Sequence, residues 1–93
     1  MISYPTARLI VLQHLDRLGS DIRLLDDQTL HVDFGWVFFY QSKEYLLSGD
    51  VSHALAGNGP LIVDRLTGQL SLTGTAYSLD YYLEQYRAKS SLD

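Results

Sequence analysis

The sequence predicts an α+β fold: an antiparallel sheet of about four strands with N- and C-terminal helices packed together on one face. Three observations lead there. Residues 34–41, Phe-Gly-Trp-Val-Phe-Phe-Tyr-Gln, hold the only tryptophan, all three phenylalanines and one of the seven tyrosines. Aromatic and β-branched residues at this density suit a half-buried pleated surface better than a helix, and a strand so apolar belongs in the middle of its sheet. Near each end of the chain, apolar residues recur at spacings of three and four, the stripe of an amphipathic helix. Between those ends, short apolar segments alternate with Gly, Pro and Asp turn signals.

The first helix starts at Ser3 or Tyr4, with Pro5 pre-set for the first turn, and runs to about Leu18. Ala7, Val11, His14, Leu15 and Leu18 share its apolar stripe, Ile10 flanks it, and Gly19 ends it. Residues 22–25 form a short strand and Asp26-Asp27-Gln28 a turn. From Thr29 the pattern alternates, with Leu30, Val32 and Phe34 on one face and Thr29, His31 and Asp33 on the other. Gly35 then either bends this strand into the aromatic run or permits a tight reversal before it, and both readings stay open. Within the run, Phe34, Trp36, Phe38 and Tyr40 fall on one side, Val37, Phe39 and Gln41 on the other. Both sides are apolar, so both need cover. With the two helices on one face, the other is left as an apolar platform and a first hint of a partner.

Residues 42–60 make a connection too apolar for a disordered linker, and loops this long inside a compact domain are often functional. Its part around Tyr45, Leu46 and Leu47 tucks against the core. Gly57 and Gly59 permit positive φ, and Pro60 fixes the entry into a strand at 61–64. Residues 65–68 turn, and 69–73 return as the second arm of a hairpin. Ser78 opens the last helix, in which Leu79, Tyr82, Leu83 and Tyr86 share one face and Asp80, Glu84, Gln85 and Arg87 the other. Asp80 in the first turn and Arg87 and Lys89 in the last agree with the helix dipole. Residues 90–93 fray.

Ninety-three residues form one domain, 1–93, which buries only about 60 to 65% of its unfolded surface and is marginally stable. Eleven acidic against seven basic side chains give a net charge of −4, so the basic stripe that nucleic acid requires is missing. Without cysteine there is no disulfide, thiolate metal site or cysteine nucleophile. No basic leader and no apolar run of the roughly 20 residues that span a bilayer is present, which reads as a cytoplasmic protein without a membrane role.

The chemistry-bearing residues are sparse. His14, His31 and His53 fall on a helix, a strand and a loop without ligand-pair spacing, so no metal and no cofactor is expected. Ser48, Ser52 and His53 lie near one another, but no Gly-x-Ser-x-Gly elbow presents a nucleophile. Asp26-Asp27 is turn chemistry before it is an acid/base pair. Gly57-Asn58-Gly59-Pro60 leads into a strand with no lysine following, unlike a phosphate-cradling loop. The chain does not read as an enzyme.

Gly35-Trp36-Val37-Phe38-Phe39-Tyr40, Ala56-Gly57-Asn58-Gly59-Pro60-Leu61-Ile62-Val63-Asp64, Thr67-Gly68, Gly74-Thr75 and Tyr81-Tyr82-Leu83, taken together, resemble the immunity protein 35 family of bacterial polymorphic toxin systems. The resemblance implies a small α+β protein that binds and neutralises a protein toxin made by the same cell or its kin. It suggests papain-like peptidases or deamidases as the toxin class, and supplies no catalytic residue. Gly35, Trp36, Phe38, Gly57, Gly59 and Pro60, which carry it, look like fold determinants. Small heat-induced, chaperone-like enterobacterial proteins look similar too, which implies a second function, weak binding of unfolded chains. For an immunity protein the expected contacts are Glu44, Tyr45, Asp50, His53 and Asn58 in the long loop, with Asp26, Asp27 and Asp33 nearby. An ordered, polar-tipped loop is costly unless it packs or binds.

Overall fold

Ser3, in extended conformation, accepts the Thr6 N–H on its hydroxyl at 3.4 Å, Pro5 follows within the first turn, and the helix that results, α1, spans Tyr4–Leu18. The Gly19 N–H closes it on the Leu15 carbonyl at 3.1 Å. The expected stripe is buried at Ala7, Val11 and Leu15, while Leu18 at its end stays exposed. The computed structural model describes residues 1–19, 21–50, 59–74 and 77–91.

After α1 the chain forms β1 (Ile22–Leu24), a single 3₁₀ turn at Asp26–Gln28, β2 (Leu30–Val32), β3 (Gly35–Phe38) and β4 (Tyr40–Ser42). Later come α2 (Lys43–Ser48), β5 (Leu61–Asp64), β6 (Leu70–Leu72) and α3 (Leu79–Ser91). The fold is α+β, with two antiparallel sheets: a four-stranded one ordered β2-β3-β5-β6 and a two-stranded one pairing β1 with β4. Val32 pairs with Gly35, so Asp33 and Phe34 are the two-residue loop of a hairpin, and Gly35 follows a reversal instead of bending one strand. A Cβ on Gly35 would run into the Val63 carbonyl of the neighbouring strand, so only glycine allows β3 and β5 this close.

The aromatic run is not one strand. Phe34 is in the hairpin loop, β3 is interior to the larger sheet, and at Phe39 the chain changes partner. The Phe39 carbonyl accepts the Leu25 N–H at 2.8 Å, and Tyr40, Gln41 and Ser42 then pair with Leu24, Arg23 and Ile22. One continuous run of residues therefore serves two sheets.

Trp36 and Phe38 face α1 and pack with Ala7, Val11, Leu15, Leu61 and Val63 into the core. Burying each such side chain contributes roughly 1.5 to 3 kcal/mol. Tyr4 is laid over this face, its ring stacked on Phe38 at 6.0 Å and tilted toward Trp36 and His31. Val37 and its cross-strand partner Ile62 point the other way, yet are only 0% and 2% exposed. The apolar platform expected on that side is thus not open at these positions: interior strands buried on both faces read as continuous apolar runs because both faces are covered.

The long connection, expected to be loop throughout, begins as a helix, α2. The Ser42 hydroxyl accepts the Tyr45 N–H at 3.1 Å, Glu44 sits in the first turn, and Gly49, at φ 72°, caps the end in left-handed conformation. Tyr45 is half-buried, but Leu47 points outward and is 78% exposed, so the tuck stops at Tyr45. Gly57 lies outside the described residues.

The β5–β6 connection is held by Asp64, whose carboxylate accepts the N–H groups of Leu66 and Thr67 at 2.7 and 3.1 Å. In α3, capped by Ser78 accepting from the Tyr81 N–H at 3.2 Å, Leu79, Tyr82, Leu83 and Tyr86 are half-buried, and Asp80, Glu84, Gln85 and Arg87 exposed. The helix continues to Ser91, so Ser90 and Ser91 are helical where fraying was expected. Among the described residues, α1 alone supplies fully buried side chains from a helix. The last helix is fastened at the hairpin end: Tyr86 stacks on Phe34 with centroids 4.7 Å apart, and Arg87 lies over the same ring at 5.4 Å.

Candidate partner-binding surface

The turn acids sit where strand order places them. Asp26, in the 3₁₀ turn after β1, faces α1 and takes Arg8 in a two-point pair, Nε to Oδ1 at 2.7 Å and Nη2 to Oδ2 at 2.9 Å. The hydrogen bond from Arg8 holds the Asp26 carboxyl below its ordinary range, against a smaller opposing effect of burial. Asp27, beside it, is exposed. Asp33, in the β2–β3 loop, is paired in the same way with Arg87 of α3, Nη2 to Oδ1 at 2.9 Å and Nε to Oδ2 at 3.3 Å, and its carboxyl is likewise lowered by the bond from Arg87. Fork-to-fork pairs of this kind fix orientation as well as charge.

The remaining expected contacts are elsewhere. Glu44 lies exposed in the first turn of α2, Tyr45 beside it is half-buried, and Asp50, just past Gly49, donates its N–H to the Ser48 hydroxyl at 3.1 Å. His53 and Asn58 lie outside the described residues. The structure therefore separates the set. The Lys43 N–H bonds to the Asp21 carbonyl, putting α2 at the Ile22 end of the β1–β4 ladder and Asp26 and Asp27 past its other end. Asp33 is at the far end of β3.

A cleft of about 480 Å³ opens between α1 and β1, a feature no local sequence pattern announces because it needs the helix and strand side by side. Leu12, Leu15, Ile22 and Leu24 give it apolar walls, and Arg8, Asp16, Arg23 and Asp26 a rim of both signs. Such a lining can grip an apolar side chain and orient polar neighbours. Among the described residues no group of three or more His, Asp or Glu side chains is placed to hold a metal ion, and no helix is long and apolar enough to cross a membrane.

The residues expected to determine the fold stand in crowded places. Trp36 and Phe38 are in the core. A Cβ on Gly59 would meet the Thr73 hydroxyl and the Gly74 carbonyl. The Pro60 carbonyl accepts both the Thr73 N–H at 3.2 Å and its hydroxyl at 2.7 Å, closing the open end of the β5–β6 hairpin.

The family model described as immunity protein 35 matches residues 6–89. The chain is also 42% identical over 93 residues to a protein of Escherichia coli (strain K12) described as uncharacterized protein YrhB, with 98% of this chain and 95% of that protein covered. No solved structure matches at a significant level.

Proposed function

The chain belongs to the immunity protein 35 family, and from that premise we propose that it binds one cognate toxin and neutralises it by covering the active site or substrate surface, without chemistry of its own. The observation that carries this reading is the extent of the family match, residues 6–89, which runs from α1 into α3. The setting is a polymorphic toxin system of interbacterial competition, the place of action the cytoplasm, and the unit that acts the whole of residues 1–93. The toxin class that the family suggests is a papain-like peptidase or a deamidase.

The net charge of −4 supports association with a basic toxin cleft, because complementary potentials speed encounter. Glu44, Tyr45 and Asp50 on and after α2, with His53 and Asn58 further along the same connection, form one contact region, and Asp27 a second. Asp26 and Asp33 present an arginine pair to a partner in place of a lone charge.

The test is to co-express the chain with the product of a toxin-like reading frame beside its gene, isolate the complex, and follow association and dissociation across a salt series. One-to-one stoichiometry, a toxin of unchanged mass after release, and association slowed tenfold or more toward about 1 M salt, where the Debye length is roughly 3 Å, are the expected results. A toxin recovered cleaved or modified would overturn occlusion. Weak capture of many unfolded chains in place of one folded partner would overturn the immunity reading in favour of a chaperone-like one.

A further inference from the structure

Where α3 begins, three tyrosines form an aromatic cluster that none of the core uses. Tyr77 and Tyr81 stack with centroids 4.3 Å apart, and Tyr82 stands edge-on to them at 6.2 and 5.7 Å. The arrangement follows from the cap: Ser78 fixes the start of the helix, so Tyr77 just before it and Tyr81 one turn on lie side by side. Tyr82 turns toward the body of the protein and is half-buried, but Tyr77 and Tyr81 remain 60% and 40% exposed. Exposed tyrosines in a fixed stack are unlike scattered surface apolar residues; large, rigid aromatic side chains are the commonest anchors of protein interfaces.

The charges beside the cluster indicate what it accepts. Asp80 and Glu84, one turn apart, are both exposed on the side of α3 that carries Tyr81. The nearest cation on this helix, Arg87, is paired with Asp33 through Nε and Nη2, one edge of its guanidinium, and also feels the charge of Glu84, whereas Asp80 has no ion-pair partner among the described residues. Tyrosine ring faces are themselves electron-rich and attract cations. Ring faces and carboxylates of one sign, on a chain of net charge −4, therefore converge on a patch that favours a positive group.

We propose that Tyr77, Tyr81 and Tyr82 with Asp80 and Glu84 form a docking surface for an arginine- or lysine-bearing segment of a protein partner, the cation seated against the stacked rings and paired with a carboxylate. Because the rings are already stacked, little side-chain freedom is lost on binding. The site lies on α3, apart from the α2 region and the α1–β1 cleft. It rests on the immunity reading only in taking that partner to be the toxin.

Two measurements test it. In the first, the isotope-labelled protein is titrated with an acetylated, amidated Gly-Arg-Gly-Arg-Gly peptide and with its norleucine counterpart while amide resonances are followed. Saturable shifts confined to the start of α3 with the arginine peptide alone are expected. They should weaken about tenfold in Tyr77→Ala/Tyr81→Ala and in Asp80→Asn/Glu84→Gln and persist in Leu66→Ala, a change at another exposed apolar side chain. The urea midpoint of each variant establishes that it is folded. Shifts spread over all acidic surfaces, equal response to norleucine, or the same shifts appearing with protein concentration alone, which would mean a second copy as occupant, would each overturn the proposal. In the second, toxin binding is compared between wild type and the two double variants. Unchanged affinity rejects the patch as the toxin site while leaving the immunity reading intact, whereas absence of any toxin partner alongside a positive peptide titration rejects the immunity reading and leaves the cation site standing.

Discussion

The Tyr86 hydroxyl donates to Oδ2 of Asp64 at 2.7 Å, tying the last helix to the end of β5 across 22 residues of sequence. Partial burial pushes the Asp64 carboxyl upward, but the bonds donated by Tyr86 and by the N–H groups of Leu66 and Thr67 outweigh it together, and Asp64 is held below its ordinary range. A carboxyl lowered on folding stabilises the protein at pH above its unfolded value, near 3.9, and that stability is lost as pH falls through the folded value.

Tyr86→Phe keeps the ring stacked on Phe34 and removes only the hydroxyl. It should cost about 1 kcal/mol at pH 7. The difference from wild type should shrink below about pH 4, as Asp64 takes up a proton in both. Urea unfolding at a series of pH values measures this; a difference constant down to pH 2 would mean the hydroxyl acts through packing and not through Asp64.

Trp36→Ala and Phe38→Ala each empty part of the core between α1 and the larger sheet. Losses of about 3 to 5 kcal/mol are expected, enough to unfold a marginal domain, while Trp36→Phe should fold. The emission of Trp36 provides a check on the wild-type protein: a native spectrum at the position of fully solvated tryptophan would contradict its burial.

Gly35→Ala and Gly49→Ala separate lack of room from backbone conformation. At Gly49, left-handed with nothing within 4 Å of an added Cβ, the cost should be about 1 kcal/mol. At Gly35 the new methyl meets the Val63 carbonyl, and β3 and β5 must move apart at the middle of the sheet, for about 1 to 3 kcal/mol or more. Equal urea midpoints for the two variants would show that the strands yield easily.

The Arg8–Asp26 pair is a contact between exposed side chains, so its geometry promises more than its energy. A double-mutant cycle of Arg8→Ala and Asp26→Asn should give a coupling of about 0.5 to 1 kcal/mol at low salt, falling toward zero near 1 M. If Asp26 serves the toxin and not the fold, Asp26→Asn will weaken toxin binding with no coupling to Arg8 in the unfolding measurement.

How much of this was legible beforehand depends on the range of each signal. The caps at Ser3 and Ser78 and the stripes Ala7-Val11-Leu15 and Leu79-Tyr82-Leu83-Tyr86 are local, and the helices lie where those residues put them. Ser42 with Glu44 and Gly49 carries the same cap chemistry for α2, but six residues offer too little periodicity to mark a helix between those caps. Local pattern makes Asp26 a turn acid and Asp33 a residue on the polar face of a strand. Their arginines are 18 and 54 residues away, and no spacing rule reaches so far.

Helical stripe, strand alternation and cap chemistry are set by bond geometry over a few residues, so they could be read directly from the order of amino acids. The reversal at Asp33 and Phe34, the change of partner at Phe39, the cover over Val37 and Ile62, and the meeting of Tyr86 with Asp64 were settled only by assembly. Each has a locally acceptable alternative. A bend or a reversal at Gly35 serves the backbone equally well until Val63 of β5 lies against it, and Phe39 can continue β3 until Leu25 offers a donor on the other side. Choosing between alternatives of equal local energy takes burial and pairing with residues distant in the chain, and those exist only once the sheet and its helices have come together.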